Sequence, residues 1–275
     1  MSAPTVVITG ANGFVGSALM HAFEADGWRA IGAGRHGCER AYDLTWTQLP
    51  PELLDGAGAL VHAAYVKNDY RANVAGSELL LDEAHRHGVE RIAFLSSLAA
   101  HDGALSSYGR QKLALERRFA RDGALVVRPG LVLGAGSIFG ATCEYLHHHR
   151  FVPVIGGGKQ PMQTVFVGEL AEAVVTAVEH GVRGVFTVAE VEPVAFMTFY
   201  RELARQLGVA PAFVPVPFWA ADAALRAAGL LRLSLPIDRD NLLGLRAMVA
   251  DRGPFLQTPS GAVSDYRRNI ALALA

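Results

Sequence analysis

Tyr108 and Lys112 stand four positions apart in Tyr108-Gly109-Arg110-Gln111-Lys112, and Ser97 stands eleven positions before the tyrosine. On a helix, a spacing of four puts the phenol and the ammonium on one face, one turn apart. A phenol with its ordinary pKa of about 10 is a poor acid or base at neutral pH. A lysine cation beside it favours the phenolate and lowers that value. Tyr108 is then placed to give or take the proton on a substrate oxygen while a hydride moves to or from carbon. Of the two hydroxyls in Ser96-Ser97, alternation along a strand puts only one on the reacting side, and Ser97 is the expected one.

Such chemistry needs a carrier for the hydride. Thr9-Gly10-Ala11-Asn12-Gly13-Phe14-Val15-Gly16 follows the apolar run Val6-Val7-Ile8, and Ala18, Leu19, Ala22 and Phe23 continue from it at helical spacing. Strand, glycine turn and helix form the setting of a dinucleotide site. The turn must bend sharply, a pyrophosphate must approach the backbone, and the helix N-terminus presents N–H groups to the anion. The spacing G-x-x-G-x-x-G after a threonine resembles the short-chain dehydrogenase/reductase superfamily, in its extended or atypical branch of NAD(P)-dependent epimerases and dehydratases. The resemblance implies an α/β fold: a Rossmann-type doubly wound parallel sheet with a small C-terminal substrate lobe. It makes Gly10, Asn12, Gly13, Phe14, Val15 and Gly16 the expected cradle. It also implies that Ser97 orients the substrate oxygen, that Lys112 hydrogen-bonds the nicotinamide ribose beside Tyr108, and that Asn73 holds a proton-relaying water. Asn73 matches through Asn73-Val74-Ala75-Gly76-Ser77, which resembles the family's N-V-x-G-T.

The remaining elements place these groups in order. Trp28–Arg35 reads as the second strand, and its end carries Arg35 where an NAD site usually has an acid about 20 positions past the glycines. A guanidinium suits a 2′-phosphate, so NADP(H) is preferred and NAD stays open. Residues 41–44 read as a short third strand, and Asp43-Leu44 lies beside the adenine in the resembled family. Thr45–Leu54 is expected as a short helix disturbed by Pro50-Pro51. Ala59–Ala64 is a buried strand in which His62 packs and the small Ala63 and Ala64 let a cofactor cross its carboxyl end. Tyr70–His87 reads as a helix capped by Gly88, and Arg91–Ser97 as the strand before the catalytic helix. Gln111 stands where the family has serine and is expected to face away from the chemistry. Arg128-Pro129 resembles the family's Arg-Pro after the sixth strand, which adds Pro129 to the cofactor set. His147-His148-His149 is read as a solvated helix end, since consecutive helix residues point about 100° apart and cannot share one metal. No metal site is expected. Lys159 and Gln160, beyond the glycines 156–158, are equally a surface loop or substrate contacts. Asp238-Arg239-Asp240-Asn241 is polar and without an assigned role.

The expected division is an NAD(P)-binding domain over 1–190, with a substrate-loop insertion at about 131–165, and a mostly helical lobe over 191–275. The 275 residues are 51% hydrophobic with a net charge of −1, which excludes a disordered chain and gives no basic surface for nucleic acid. The two cysteines, Cys38 and Cys143, form no disulfide framework, and a reducing cytoplasm is expected. With the first strand reached by Val6, no signal peptide is expected, and the greasiest stretch, 213–235, is interrupted by prolines and charges, so no membrane span is expected either. The expected partner is a small carbonyl compound or a nucleotide sugar. A homodimer through paired helices is implied by the family. Three functions fit: an NADP(H)-dependent oxidoreductase at a carbinol/carbonyl centre, a nucleotide-sugar epimerase or dehydratase that retains its NAD, and a cofactor-binding sensor or accessory subunit without turnover. The intact Tyr108 and Lys112 argue against the last.

Overall fold

A computed structural model describes residues 3–67, 69–230 and 237–275. The apolar run before the glycine turn is β1 (Thr5–Thr9), and the turn opens α1 (Phe14–Ala25). The chain continues through β2 (Arg29–Gly34), β3 (Arg40–Ala41), β4 (Ala59–His62), α2 (Tyr70–Arg86), β5 (Arg91–Leu95), α3 (Ser107–Arg121) and β6 (Leu125–Pro129). A short β7 (Leu131–Leu133) and α4 (Ile138–His148) precede β8 (Phe151–Ile155), β9 (Pro161–Met162), β10 (Thr164–Phe166), α5 (Val167–Glu179) and β11 (Gly184–Val188). Then come β12 (Val194–Ala195), α6 (Phe196–Gln206), β13 (Ala212–Val216), α7 (Phe218–Leu230), α8 (Arg239–Arg246) and α9 (Tyr266–Leu274).

Seven strands form one parallel sheet in the order β11-β6-β5-β4-β1-β2-β3. The order reverses between β1 and β4, and open sheets bind ligands at such a switch, beyond the carboxyl ends of the strands. Side chains alternate across the sheet, so both faces must be covered. Val6 and Ile8 pack with Leu19, Phe23 and Leu170 under α1 and α5. Val7 turns the other way, into a second layer with Leu80, Phe94, Leu115 and Phe119 of α2, β5 and α3. Each such side chain, fully buried, stabilises the fold by about 1.5–3 kcal/mol.

Two local expectations are corrected. The third strand is only Arg40–Ala41, because the Asp43 carboxylate accepts the Thr45 N–H and hydroxyl and turns the chain there. Thr45–Leu54 is not a helix: only Pro51–Leu54 coils, as a single 3-10 turn with proline at its start.

Past the sheet, β8 pairs with β13, β9 with β12, and β7 with β10. The segment between β6 and α5 therefore shares its strands with the C-terminal part. Leu133, Phe139, Leu146, Met162, Phe199, Leu203, Tyr266 and Ile270 form the core between them. The chain then returns to the sheet, where the Thr187 N–H of β11 donates to Pro254 O. Residues 231–235 of the greasy stretch lie outside the described residues. Among the described residues, no helix is long and apolar enough to cross a membrane.

Candidate active site

The glycine turn lies beyond the switch point and forms one wall of an open cleft of about 400 Å³. Gly10 has φ +71°, and a Cβ there would lie 2.9 Å from the Ala64 backbone. Only glycine brings the turn this close to the end of β4. A Cβ on Gly16 would lie 2.1 Å from Gly10 O, so the third glycine seats α1 against the turn. The helix begins at Gly13 with no side-chain cap and no acid in its first turn, which leaves N–H groups for an anion. Gly10, Asn12, Gly13, Arg35, Asp43, Leu44, Ala63 and Ala64 all line the cleft. Phe14, Val15 and Gly16 form the first turn of α1 beside it. Asn12 also pins the far wall, donating from Nδ2 to His36 O at 2.5 Å. Pro129 ends β6, where its carbonyl accepts the Leu98 N–H next to Ser97.

These walls fit a dinucleotide. Tyr42 lines the cleft, and its buried hydroxyl has no hydrogen-bond partner among the described residues. Such a group calls for an outside partner. Asp43 is held below the usual carboxylate range, first by the Thr45 N–H and also by the charges of Arg35 and His36. A smaller hollow of about 180 Å³ lies at the opposite ends of the strands, near Arg91 and Arg183, far from any of the reactive groups.

Tyr108 lies in the first turn of α3 and Lys112 one turn later. The Ser97 hydroxyl faces the Tyr108 phenol closely enough to favour its ionised form, yet burial outweighs it and pushes the phenol pKa up. The direction is the reverse of the lowered pKa expected for a phenol one helical turn from Lys112. The lysine is itself buried, and burial brings its pKa down to about 8. Its Nζ donates to Leu95 O at 2.6 Å and lies 4.8 Å from the Phe94 ring centre. Ser96 points away as expected, donating to Glu116, which pairs with Arg128.

Asn73 is buried in α2, and its Nδ2 contacts Val66 O, Asp69 O and Gln111 Oε1 at 2.7–3.0 Å. Its Oδ1 accepts the Val66 N–H at 2.8 Å. The side chain has no free donor for the expected water. Gln111 does not face away: it is buried against Asn73 and ties α3 to α2.

His62 is buried as expected. Its Nδ1 lies 2.6 Å from Thr9 Oγ1 and its Nε2 lies 2.7 Å from Ser77 Oγ. Ser77 gives its only proton to Asn73 O, so Nε2 must carry the ring proton and Nδ1 must accept from Thr9. Burial and the Lys112 charge lower the His62 pKa to about 3, so the ring is neutral.

Two contributors escaped the sequence reading. Tyr65 packs edge-on against Tyr108, ring centres 5.2 Å apart, and lines the cleft. The only signal was an aromatic directly after Ala63-Ala64. Asp240 accepts the backbone N–H groups of Ser107 and Tyr108 at 2.6 and 3.2 Å. The signal there was the helix-start pattern Asp238-x-x-Asn241, which forms a capping box. His147, His148 and His149 are exposed at the end of α4, and no group of three metal-ligating side chains occurs among the described residues. Gln160 turns inward, its Nε2 donating to Ile155 O, while Lys159 is exposed.

The family described as "NAD dependent epimerase/dehydratase family" matches residues 6–189. The ceramide reductase of Caulobacter vibrioides is 32% identical over an alignment of 150 residues, with 48% of this chain and 47% of that protein covered. The NAD-dependent glucose-6-phosphate dehydrogenase of Haloferax volcanii is 28% identical over 172 residues, covering 54% of this chain and 65% of its own. The matches thus span roughly half to two thirds of these relatives' lengths. A dTDP-4-dehydrorhamnose reductase from Clostridium acetobutylicum has a solved structure that superimposes with a TM-score of 0.74 at 16% identity, covering 98% of both chains. That likeness is one of fold.

Proposed function

The chain is a member of the NAD dependent epimerase/dehydratase family, an NAD(P)-dependent enzyme, and from that premise we propose that it is an NADP(H)-dependent reductase of a carbonyl centre. The observation that carries this reading is the meeting of Tyr108, Ser97 and Lys112 beside Tyr65, which also lines the cleft that holds Arg35. When bound, the reduced nicotinamide supplies a hydride to the carbonyl carbon. Ser97 orients the carbonyl oxygen, and Tyr108 delivers the proton to it. A phenol kept protonated by burial suits this direction, since the acid must hold its proton until the oxygen becomes basic. Lys112, fixed on Leu95 O, keeps further N–H donors for the nicotinamide ribose and favours the phenolate once formed. Asn73 and Gln111 hold α2 and α3 together beneath this pair. Arg35, exposed at the end of β2, would pair with the 2′-phosphate.

The names of two similar proteins, a ceramide reductase and a dTDP-4-dehydrorhamnose reductase, support the direction. A cytoplasmic setting suits the free Cys38 and Cys143. The test is to denature freshly purified protein, identify any nucleotide released, and titrate the emptied chain with NADPH and NADH. The expected result is an empty protein that binds NADPH at least about tenfold more tightly, or 1.4 kcal/mol. Arg35→Asp should reverse the preference toward NADH. Tightly retained NAD would instead indicate an epimerase or dehydratase that recycles its hydride, and equal binding of both cofactors by the parent and Arg35→Asp would remove Arg35 from the site.

A further inference from the structure

The first turn of α3 carries Tyr108, and its N–H groups are satisfied from two sources. Ser106, the local cap, accepts the Gly109 N–H at 3.0 Å. The N–H groups of Ser107 and Tyr108 go to the carboxylate of Asp240, 133 and 132 positions away in the chain. These are charge-assisted bonds at the positive end of a helix, where an anion is favoured. Asp240 stands in the first turn of α8, which is held on three sides. Asp238 and Asn241 form its capping box. Arg239 pairs with Asp222 of α7 at 3.0 Å, and Asp222 also pairs with Arg226. Lys67, which follows Tyr65 by two positions, approaches Asp238 at 3.7 Å. Gly244 lies against Ser106, where a Cβ would come within 3.7 Å of the serine side chain. One short helical turn therefore touches the reactive tyrosine's backbone, the loop of its aromatic neighbour, and the greasy helix α7.

We propose that Asp240 is a positioning residue that fixes Tyr108 to the α7–α8 part of the chain, so that the docking of this part on α3 sets the placement and ionisation of the reactive phenol. The proposal rests on the reading of Tyr108 as the proton donor. A local cap would satisfy the helix equally well. What Asp240 adds is a link from a part of the chain beyond the sheet to the backbone of the residue that performs the chemistry. It also adds negative charge at that point. Among the described residues, Ser97 faces Tyr108, Lys112 lies over the Tyr65 ring, and Asp238 and Asp240 act on Tyr65, with Lys67 beyond them paired to Asp238. Tyr65 is raised first by burial, then by Tyr108, Asp240 and Asp238, so the carboxylate's field reaches the aromatic neighbour of Tyr108.

The test uses the whole 275-residue chain, and its two direct readouts need no substrate. Backbone hydrogen exchange is followed by mass spectrometry in the parent, Asp240→Ala and Asp240→Asn. In parallel, the Tyr108 phenol is titrated by ultraviolet difference, each protein being read against its own Tyr108→Phe version. In Asp240→Ala, the peptide from Leu105 to Lys112 and that covering α8 should exchange about tenfold faster, the effect of losing one helix cap, with α1 and α5 unchanged. Asp240→Asn keeps an acceptor oxygen and should restore that protection. In both variants the phenol should titrate lower by about half a pH unit or more, because the carboxylate bound to the tyrosine's own backbone, a charge of like sign to the phenolate, has been removed. Unchanged exchange at α3, a loss of protection spread evenly over the chain, or an unmoved phenol titration would each overturn the proposal. If the coupling appears but Tyr108→Phe turns over normally, the link is real and the reading of Tyr108 as proton donor fails. If the coupling is absent while Tyr108→Phe is inactive, that reading stands without Asp240.

Discussion

His62 joins the glycine turn to α2 through a single neutral ring. The Ala64 N–H reaches Thr9 Oγ1 at 3.4 Å, Thr9 donates to the imidazole, the imidazole to Ser77, and Ser77 to Asn73 O. Phe94 and Phe119, stacked on each other with centres 4.6 Å apart, pack beside the ring with centres 5.8 and 5.9 Å away. The ring protonates only at about pH 3, against 6.5 for an unperturbed histidine. Between those values the unfolded chain binds a proton that the folded chain does not, so stability falls as pH drops through that window and is unaffected by this group above it. The slope from one such group is at most about 1.4 kcal/mol per pH unit. Urea unfolding of the parent at about pH 6 and pH 4.5 should therefore show a steeper loss than in His62→Gln, which has nothing to protonate there. Parallel losses in the two proteins would mean that the imidazole is already charged in the folded state.

At the scale of elements, close approach decides what the helices can contain. Gly76 lies in the middle of α2, and a Cβ there would sit 2.1 Å from Leu44 O. Leu44 and Asp43 line the cleft, so α2 and that wall press on one another. Gly76→Ala should cost about 1–3 kcal/mol by overpacking and also weaken NADPH binding, measured by denaturation and by cofactor titration. Stability lost with cofactor affinity intact would show that the wall does not depend on α2. Much at this scale was legible. The glycine turn, the strand ends and the Tyr108–Lys112 helix announce themselves because strand and helix periodicities and turn residues act locally. Gln111 was not legible, since its direction depends on where α2 comes to lie against α3. Neither was the sign of the Tyr108 shift: spacing places Lys112 one helical turn from the phenol, but only the packed structure reveals that burial decides the direction, against the Ser97 hydroxyl. The failed helix at Thr45–Leu54 has the same character, because a carboxylate turn at Asp43 overrode propensity.

In the whole molecule, the sheet and the later part of the chain are interleaved. Glu190, just after β11, accepts the N–H of Thr164 in β10 and of Tyr266 at the start of α9. Asp251 accepts from Arg128 of β6 and from Thr187 of β11. The C-terminal residues are thus bound to β11 and β6, the two outermost strands on the side of the sheet where β6 ends at Pro129. Asp240 extends this pattern to the reactive tyrosine. No spacing in the sequence links positions so far apart, which is why the polar run 238–241 had no role until the chain was folded. What the molecule does with this arrangement is tested most directly by NADPH consumption over a panel of carbonyl compounds, with Tyr108→Phe run beside the parent. At least one carbonyl is expected to be reduced by the parent. Tyr108→Phe should lose about 10²–10⁴-fold in rate, the contribution of a positioned proton donor, while binding NADPH as before. A Tyr108→Phe protein that reduces the same carbonyl at the parent's rate would contradict the role of Tyr108 as proton donor.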